Sequence, residues 1–219
     1  MTGLGPYSLD TIVVGDCLDV MRAMPDGCVD FGFADPPYWV GFDYSGTKDT
    51  DMQYVLPHDI IAELVRVSKT VCVTPGIGNL WDYPRADWVL CWWKTGSCRR
   101  VSVGFNHWEP VLCYKPPKLQ ASDYQPDVIR APMVYIEKLD HPCPKPLSLL
   151  SHLVGRFSGR GDLIFDPFMG SGTTAVAAKK LGRHYFGCDI SEEYVKMARE
   201  RVAKIDGVQM PLSYTEMED

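Results

Sequence analysis

No apolar run in this sequence approaches the roughly 18 residues that a membrane-spanning helix needs, so no transmembrane segment is expected. The opening residues, Met1-Thr2-Gly3-Leu4-Gly5-Pro6, hold no basic segment leading into an apolar core, so no secretory signal is expected and the chain reads as cytoplasmic. No Cys-x-x-Cys pair occurs among the eight cysteines at 17, 28, 72, 91, 98, 113, 143 and 188. That spacing offers neither a zinc ribbon nor a redox pair, so reduced, buried thiols and no metal are expected. Positive charge is in short supply. The 22 Lys and Arg face 28 Asp and Glu, a net charge of −6 that argues against a general polyanion binder. Internal repeats and domain linkers are also lacking, which leaves one domain over residues 1–219.

The sequence does contain an ordinary globular share of apolar (46%) and charged (23%) residues. Its charge is uneven. Residues 85–145 carry nine Lys and Arg against six Asp and Glu, an excess of +3, while the remainder carries 13 against 22, or −9. A locally basic middle on an acidic body is compatible with nucleic-acid contact. Strand-like and helix-like runs alternate along the chain. Strands are expected at 11–14, 29–34, 71–74, 88–93, 110–114, 163–165 and 184–188, and helices at 18–24, 58–69, 147–157, 173–181 and from a Ser191 cap to about 205. Residues 39–52 and 116–146 read as loops, and the tail after Gly207 as disordered. The alternation predicts an α/β fold, a doubly wound, mostly parallel, Rossmann-like sheet.

Two segments carry chemistry. The first, Asp35-Pro36-Pro37-Tyr38, follows the buried run Val29-Asp30-Phe31-Gly32-Phe33-Ala34. Two prolines fix the backbone just past a strand and cannot continue its ladder. The result is a rigid shelf with a carboxylate at one end and an aromatic ring at the other. It suits a flat, amine-bearing ring that stacks on Tyr38 and donates its amine hydrogens to Asp35 and the Pro36 carbonyl. The second, Gly170-Ser171-Gly172-Thr173-Thr174-Ala175, sits between a strand and a helix, and Asp189 ends the next strand. Glycines let a ligand approach the backbone, and an acid on the neighbouring strand accepts from ribose hydroxyls. The loop alone leaves a nicotinamide dinucleotide and S-adenosylmethionine both open. Few ordered residues follow it, too few for a second dinucleotide half, and the Asp35 shelf has no evident part in hydride transfer.

Taken together, these segments resemble the amino-directed DNA methyltransferases of the permuted β group, in which the Asp-Pro-Pro-Tyr motif precedes the glycine loop. The matching blocks are Gly15-Asp16-Cys17, the shelf, Asp166-Pro167-Phe168-Met169-Gly170-Ser171-Gly172-Thr173-Thr174, and His184-Tyr185-Phe186-Gly187-Cys188-Asp189-Ile190-Ser191. A further block, His141-Pro142-Cys143-Pro144-Lys145-Pro146, departs from the family's usual pattern at Cys143-Pro144. The resemblance implies a circularly permuted sheet, S-adenosylmethionine as cofactor, and methyl transfer to an exocyclic amine of a flipped-out base. Asp35, Pro36, Pro37 and Tyr38 are then the catalytic set. Asp16, Cys17, Lys145, Asp166, Phe168, Gly170, Ser171, Gly172, Thr173, Thr174, Asp189 and Ile190 are the cofactor set. A recognition insertion over about 86–140 brings Lys94, Arg99 and Arg100 to the nucleic acid, with Trp39 in the loop closing over the base. Asp35 at the first shelf position implies adenine N6, with cytosine N4 and an RNA adenine as alternatives. The implied partner is double-stranded DNA. The short recognition region allows for a homodimer, and the family context for a cognate nuclease of a restriction-modification pair. From other classes, a nicotinamide oxidoreductase and a catalytically silent nucleic-acid binder stay in view.

Overall fold

The computed structural model describes residues 3–38, 43–44, 47–48, 57–94, 99–101, 104–118, 124–132 and 144–205. In chain order its elements are β1 (Thr11–Val14), α1 (Cys17–Arg22), β2 (Val29–Ala34), β3 (Asp43–Tyr44), β4 (Thr47–Lys48), α2 (Pro57–Val67), β5 (Ser68–Val73), β6 (Trp88–Trp93), β7 (Arg99–Val101), β8 (Gly104–Asn106), β9 (Trp108–Tyr114), β10 (Val128–Arg130), α3 (Leu147–Phe157), β11 (Leu163–Asp166), α4 (Thr173–Lys180), β12 (His184–Asp189) and α5 (Glu192–Ala203). A short 3-10 turn covers Leu80–Asp82.

Eight strands form one sheet in the order β1-β12-β11-β2-β5-β9-β6-β10. All run parallel except β9, which is antiparallel to both β5 and β6. Helices cover both faces, which is why β2, β5 and β11 read as almost unbroken buried runs rather than alternating ones. On one face α1 and α2 bring Val20, Met21, Ile61 and Leu64 onto Val29, Val71, Val73 and Phe165. On the other, α3 and α4 bring Leu149, Leu153, Ala177 and Ala178 onto Phe31, Phe33, Leu90 and Ile164. The doubly wound α/β reading holds.

Sequence order breaks between β11 and β2, which lie side by side although β2 comes early and β11 late. From this switch point the chain winds one way through β12 to β1 and the other way through β5 towards β6. In such sheets ligands bind outside the carboxyl ends of the strands at the switch. Because β9 is reversed, its amino end lies at that same edge: Trp108 pairs with Trp93 and Glu109 with Trp92, at the carboxyl end of β6.

Several expected boundaries shift. Helix α2 stops at Val67, and Ser68 and Lys69, expected in the helix, already belong to β5. Ser68 is buried against Gly32, where an added Cβ would lie 2.6 Å from its Oγ. The stretch 116–146, expected to be loop-rich, contributes β10, which extends the sheet through Ile129, paired with Trp92. Within 86–140, expected as a recognition insertion, β6, β9 and β10 join the main sheet, and the β7–β8 ribbon between β6 and β9 forms a separate two-stranded pair. The loop expected at 39–52 is described only at β3 and β4, which pair antiparallel, and the tail at 207–219 lies outside the described residues.

The described cysteines are free thiols, Cys72 and Cys113 facing each other across β5 and β9 at 3.4 Å. Among the described residues no His, Cys, Asp and Glu cluster could hold a metal, and no helix is long and apolar enough to cross a membrane.

Candidate active site

Strand ends supply the carboxylates of the site, and Lys145 reaches in from just before α3. Asp35 follows β2, and both oxygens of its carboxylate are held. Oδ1 accepts from Thr74 Oγ1 at 2.6 Å and from the Tyr38 hydroxyl at 3.0 Å, and Oδ2 accepts from Lys145 Nζ at 2.6 Å. Thr74 stands just past β5, which pairs with β2 in register, so the two strand ends meet. Tyr38 is held at several points. Its carbonyl accepts from Asn79 Nδ2 at 2.9 Å, and its ring lies against Gly76, where a Cβ would come within 2.8 Å of Cδ2. The Lys145 ammonium sits 4.9 Å from the ring centroid, a cation–π contact. The Tyr38 hydroxyl also reaches Glu109 Oε2 at 3.3 Å, and Glu109 Oε1 accepts from Lys94 Nζ at 2.7 Å. Burial pushes the Tyr38 hydroxyl well above its ordinary pKa, and the charges of Asp35 and Glu109 push it further. It is a neutral hydroxyl at any working pH.

The second half of the cluster belongs to β1, β11 and β12. Asp166 ends β11 and is buried; Oδ1 accepts from Phe168 N at 2.9 Å and Oδ2 from Thr174 Oγ1 at 2.5 Å. Desolvation raises its pKa from 3.8 to about 7 against the pull of those two donors, with smaller upward contributions from Asp35 and Asp189. Asp189, at the end of β12, accepts from Gly170 N at 2.8 Å and Ser191 N at 2.9 Å, and burial raises its pKa as well. Asp16 caps α1, its Oδ1 accepting from Leu18 N at 2.9 Å and Asp19 N at 3.2 Å.

An adenosine-bearing cation fits these residues. Asp189 accepts from three backbone N–H groups, those of Gly170, Ser191 and Ile190, which leaves its carboxylate acceptor capacity for a ligand hydroxyl. Asp16 Oδ2 has no donor among the described residues. Ile190 is 64% exposed beside Asp189 and Phe168 is half-buried beyond Asp166, two apolar surfaces for a flat ring. Buried carboxylates without a cationic partner favour a positive ligand.

The structure also places some expected site residues elsewhere in role. Lys94, expected on a nucleic-acid surface, is only 6% exposed and is paired with Glu109. The side chains of Arg99 and Arg100 and all of Trp39 lie outside the described residues, as do His141, Pro142 and Cys143. The Cys17 side chain is buried in the core at the start of α1, which pushes its thiol up to about 12 and keeps it neutral. Gly172, expected to make room for a ligand, makes room for α5: in a left-handed conformation (φ +83°), its missing Cβ would fall 2.8 Å from the Ala198 Cβ. Ser171 and Thr173 are buried, with Thr173 Oγ1 and the Ser171 carbonyl accepting from Arg201. Pro36 is buried beside Asp35 and Pro37 is half-buried.

Glu109, Thr74, Asn79 and Gly76 carried no assignment from sequence. A mixed aromatic and cationic surface went unassigned as well: Trp93 and Trp108 are cross-strand neighbours, each 40% exposed, and the Arg130 guanidinium lies 5.1 Å from the Trp93 ring centroid. A cavity of about 540 Å³ lined by Tyr7, Asp10, Thr11, Lys179, Tyr185 and Arg199 shares no residue with the cluster. Convergent charge, and not volume, marks the site.

A family model described as DNA methylase matches residues 77–200. The DNA adenine methyltransferase YhdJ of Escherichia coli (strain K12) is 26% identical over 245 residues, covering 88% of this chain and 82% of that protein. Among solved structures, the M1.HpyAVI–SAM complex superposes with a TM-score of 0.63 at 20% identity, covering 88% of this chain and 98% of that one. The cytosine-N4-specific PvuII DNA methyltransferase superposes equally well, with a TM-score of 0.63 at 16% identity over 91% of this chain and 88% of that one. At such identities the two structures speak for the fold.

Proposed function

The chain belongs to the DNA methylase family, and we propose that it transfers a methyl group to the exocyclic N6 of adenine in double-stranded DNA. One observation carries the reading. The Asp35 carboxylate is fixed by Thr74, Lys145 and Tyr38 at the strand end next to the switch point. It lies near enough to Asp166 to add to the rise of its pKa.

S-adenosylmethionine, when bound, supplies an electrophilic methyl group on a sulfonium. The rest falls to the protein. Asp189 holds ribose hydroxyls, Asp16 Oδ2 accepts from an adenine amine, and Ile190 and Phe168 cover the ring. Gly170 turns the loop (φ +49°) so that its N–H locks Asp189 in place. On the other side of the switch, Asp35 and the Pro36 carbonyl accept the two hydrogens of the target amine. That grip turns the amine's lone pair, otherwise delocalised into its ring, toward the methyl group. Asp35 need not be a strong base, because the amine proton leaves only after nitrogen has become cationic. Tyr38 supplies the ring for stacking. Lys145, expected at the cofactor's carboxylate, serves instead as the counter-ion of Asp35.

The target base must leave the duplex to reach the shelf. Trp93, Trp108 and Arg130 offer stacking and cationic contacts beside it, and Arg99 and Arg100 on β7 are proposed phosphate or guanine contacts. Adenine is favoured by an aspartate at the first shelf position and by the likeness to an adenine-directed relative.

The test is methyl transfer from labelled S-adenosylmethionine to unmethylated duplex DNA, with nucleosides resolved by mass spectrometry. N6-methyladenine that disappears in Asp35→Ala is the expected result. N4-methylcytosine would keep the mechanism and overturn the base. Label on RNA alone would overturn the DNA assignment, and no label on any nucleic acid would overturn the reading.

A further inference from the structure

Glu109 and Lys94 are both largely buried, and neither lies on the amine shelf itself. A buried ion pair is not a stability device in general; apolar side chains of similar size often serve a fold as well or better. This pair has a second connection. Glu109 bonds Lys94 with one oxygen and reaches the Tyr38 hydroxyl with the other, and Tyr38 in turn reaches Asp35. The chain of groups runs Lys94–Glu109–Tyr38–Asp35–Lys145, with a lysine at each end.

The proton count in this chain is informative. A tyrosine hydroxyl carries one hydrogen, yet Tyr38 stands 3.0 Å from one carboxylate oxygen and 3.3 Å from another. One hydrogen cannot serve both, so Asp35 and Glu109 compete for it. Whenever the hydrogen turns toward Glu109, an Asp35 lone pair is released to the amine. Lys94 holds the other Glu109 oxygen at 2.7 Å and so keeps the carboxylate aimed at the hydroxyl.

We infer that Glu109, held by Lys94, is a positioning residue for methyl transfer: through the Tyr38 hydroxyl it fixes the shelf ring and keeps Asp35 a full-strength acceptor. The inference rests on the reading that Asp35 and Tyr38 hold the target amine. It assigns a catalytic consequence to Lys94, whose sequence context pointed to the nucleic acid.

The test is a double-mutant cycle on the full chain, measuring kcat for transfer to duplex DNA together with the Kd for S-adenosylmethionine. Glu109→Gln preserves shape but removes the charge, and is expected to lower kcat about tenfold with little change in that Kd. Tyr38→Phe removes the hydroxyl and keeps the ring. Made in the Tyr38→Phe background, Glu109→Gln is expected to change kcat by less than about twofold, because the route through the hydroxyl is already gone. A full, additive tenfold loss in that background would overturn the inference and leave the methyltransferase reading standing. A second variant guards against misfolding: Lys94→Met with Glu109→Leu removes both charges at similar volume. Normal melting with reduced kcat is expected, and wild-type kcat would overturn the inference. Absence of transfer by the wild-type protein itself would overturn both readings.

Discussion

Asp166 and Asp189 end β11 and β12 in the grip of N–H and hydroxyl donors, whereas Asp35 and Glu109, across the switch point, each lie against a lysine ammonium. Both halves bury carboxylates, and they balance them differently. On the β11–β12 side the charge is left for a ligand to neutralise, and burial lifts Asp166 to about 7. On the β2–β9 side neutrality is already built in. The difference matches two kinds of guest. A cationic adenosine compound brings its own positive charge, while a nucleobase amine is neutral and meets a site whose charges are already matched.

Four experiments break or sharpen that contrast. Asp35→Ala removes the central acceptor of the neutralised half, and should lower kcat by about 10²–10³-fold in the methylation assay while cofactor affinity stays within a few-fold. Asp189→Asn strikes the other half. It should weaken S-adenosylmethionine binding by about 10–100-fold in calorimetry, as expected for loss of hydrogen bonds to a charged group, with kcat at saturation less affected. Lys145→Met converts the second half into a copy of the first. Without that ammonium the Asp35 carboxylate loses its donor on Oδ2, so kcat should fall about tenfold in the methylation assay with cofactor affinity less affected. An unchanged kcat would show that Lys145 does not hold Asp35 in place.

The smallest effect is on stability. Asp166 is raised from 3.8 to about 7 in the fold, so the folded state binds this proton more tightly than the unfolded chain. Its contribution is fully present below about pH 4 and is lost as the pH rises through about 7. Asp166→Asn should therefore stabilise the ligand-free protein at pH 8 relative to wild type, with the difference shrinking toward pH 4 in denaturant titrations. His152 works in the opposite sense. Burial lowers it from 6.5 to about 4, so its contribution is present above 6.5 and is lost as the pH falls through 4. Comparing the Asp166 variant with wild type cancels that background. A difference that does not vary with pH would refute the assignment.

The fold was legible where local signals agree. Strand β2 is an apolar run interrupted only at Asp30 and stopped by two prolines, and α5 starts at a serine cap whose Oγ accepts from Tyr194 N at 3.3 Å. Strand β10 was not legible. Three residues in a stretch rich in proline become a strand only because the edge of β6 is there to pair with them. In the site, Asp35, Asp166 and Asp189 could be found because each stands in a motif at a strand end. Lys94 and Glu109 could not be read correctly. An isolated lysine after a strand is ordinarily solvated, and its burial depends on an antiparallel register that places Glu109 beside it, a pairing no local pattern encodes. Gly172 was read as space for a ligand because its partner, Ala198, is remote in sequence and contacts it only when α5 folds back.

The reversal of β9 also bears on how such a protein can change over generations. The Lys94 N–H donates to the His107 carbonyl at 2.7 Å, closing the neck of the segment 95–106 one step beyond the Trp93–Trp108 pair. The ionic clasp of Lys94 and Glu109 lies at that neck, fastened by the sheet itself. Insertions, deletions or wholesale replacement within 95–106 would leave the clasp, Tyr38 and Asp35 undisturbed. A lineage, or an engineer, can exchange that segment without retuning the machinery beneath it.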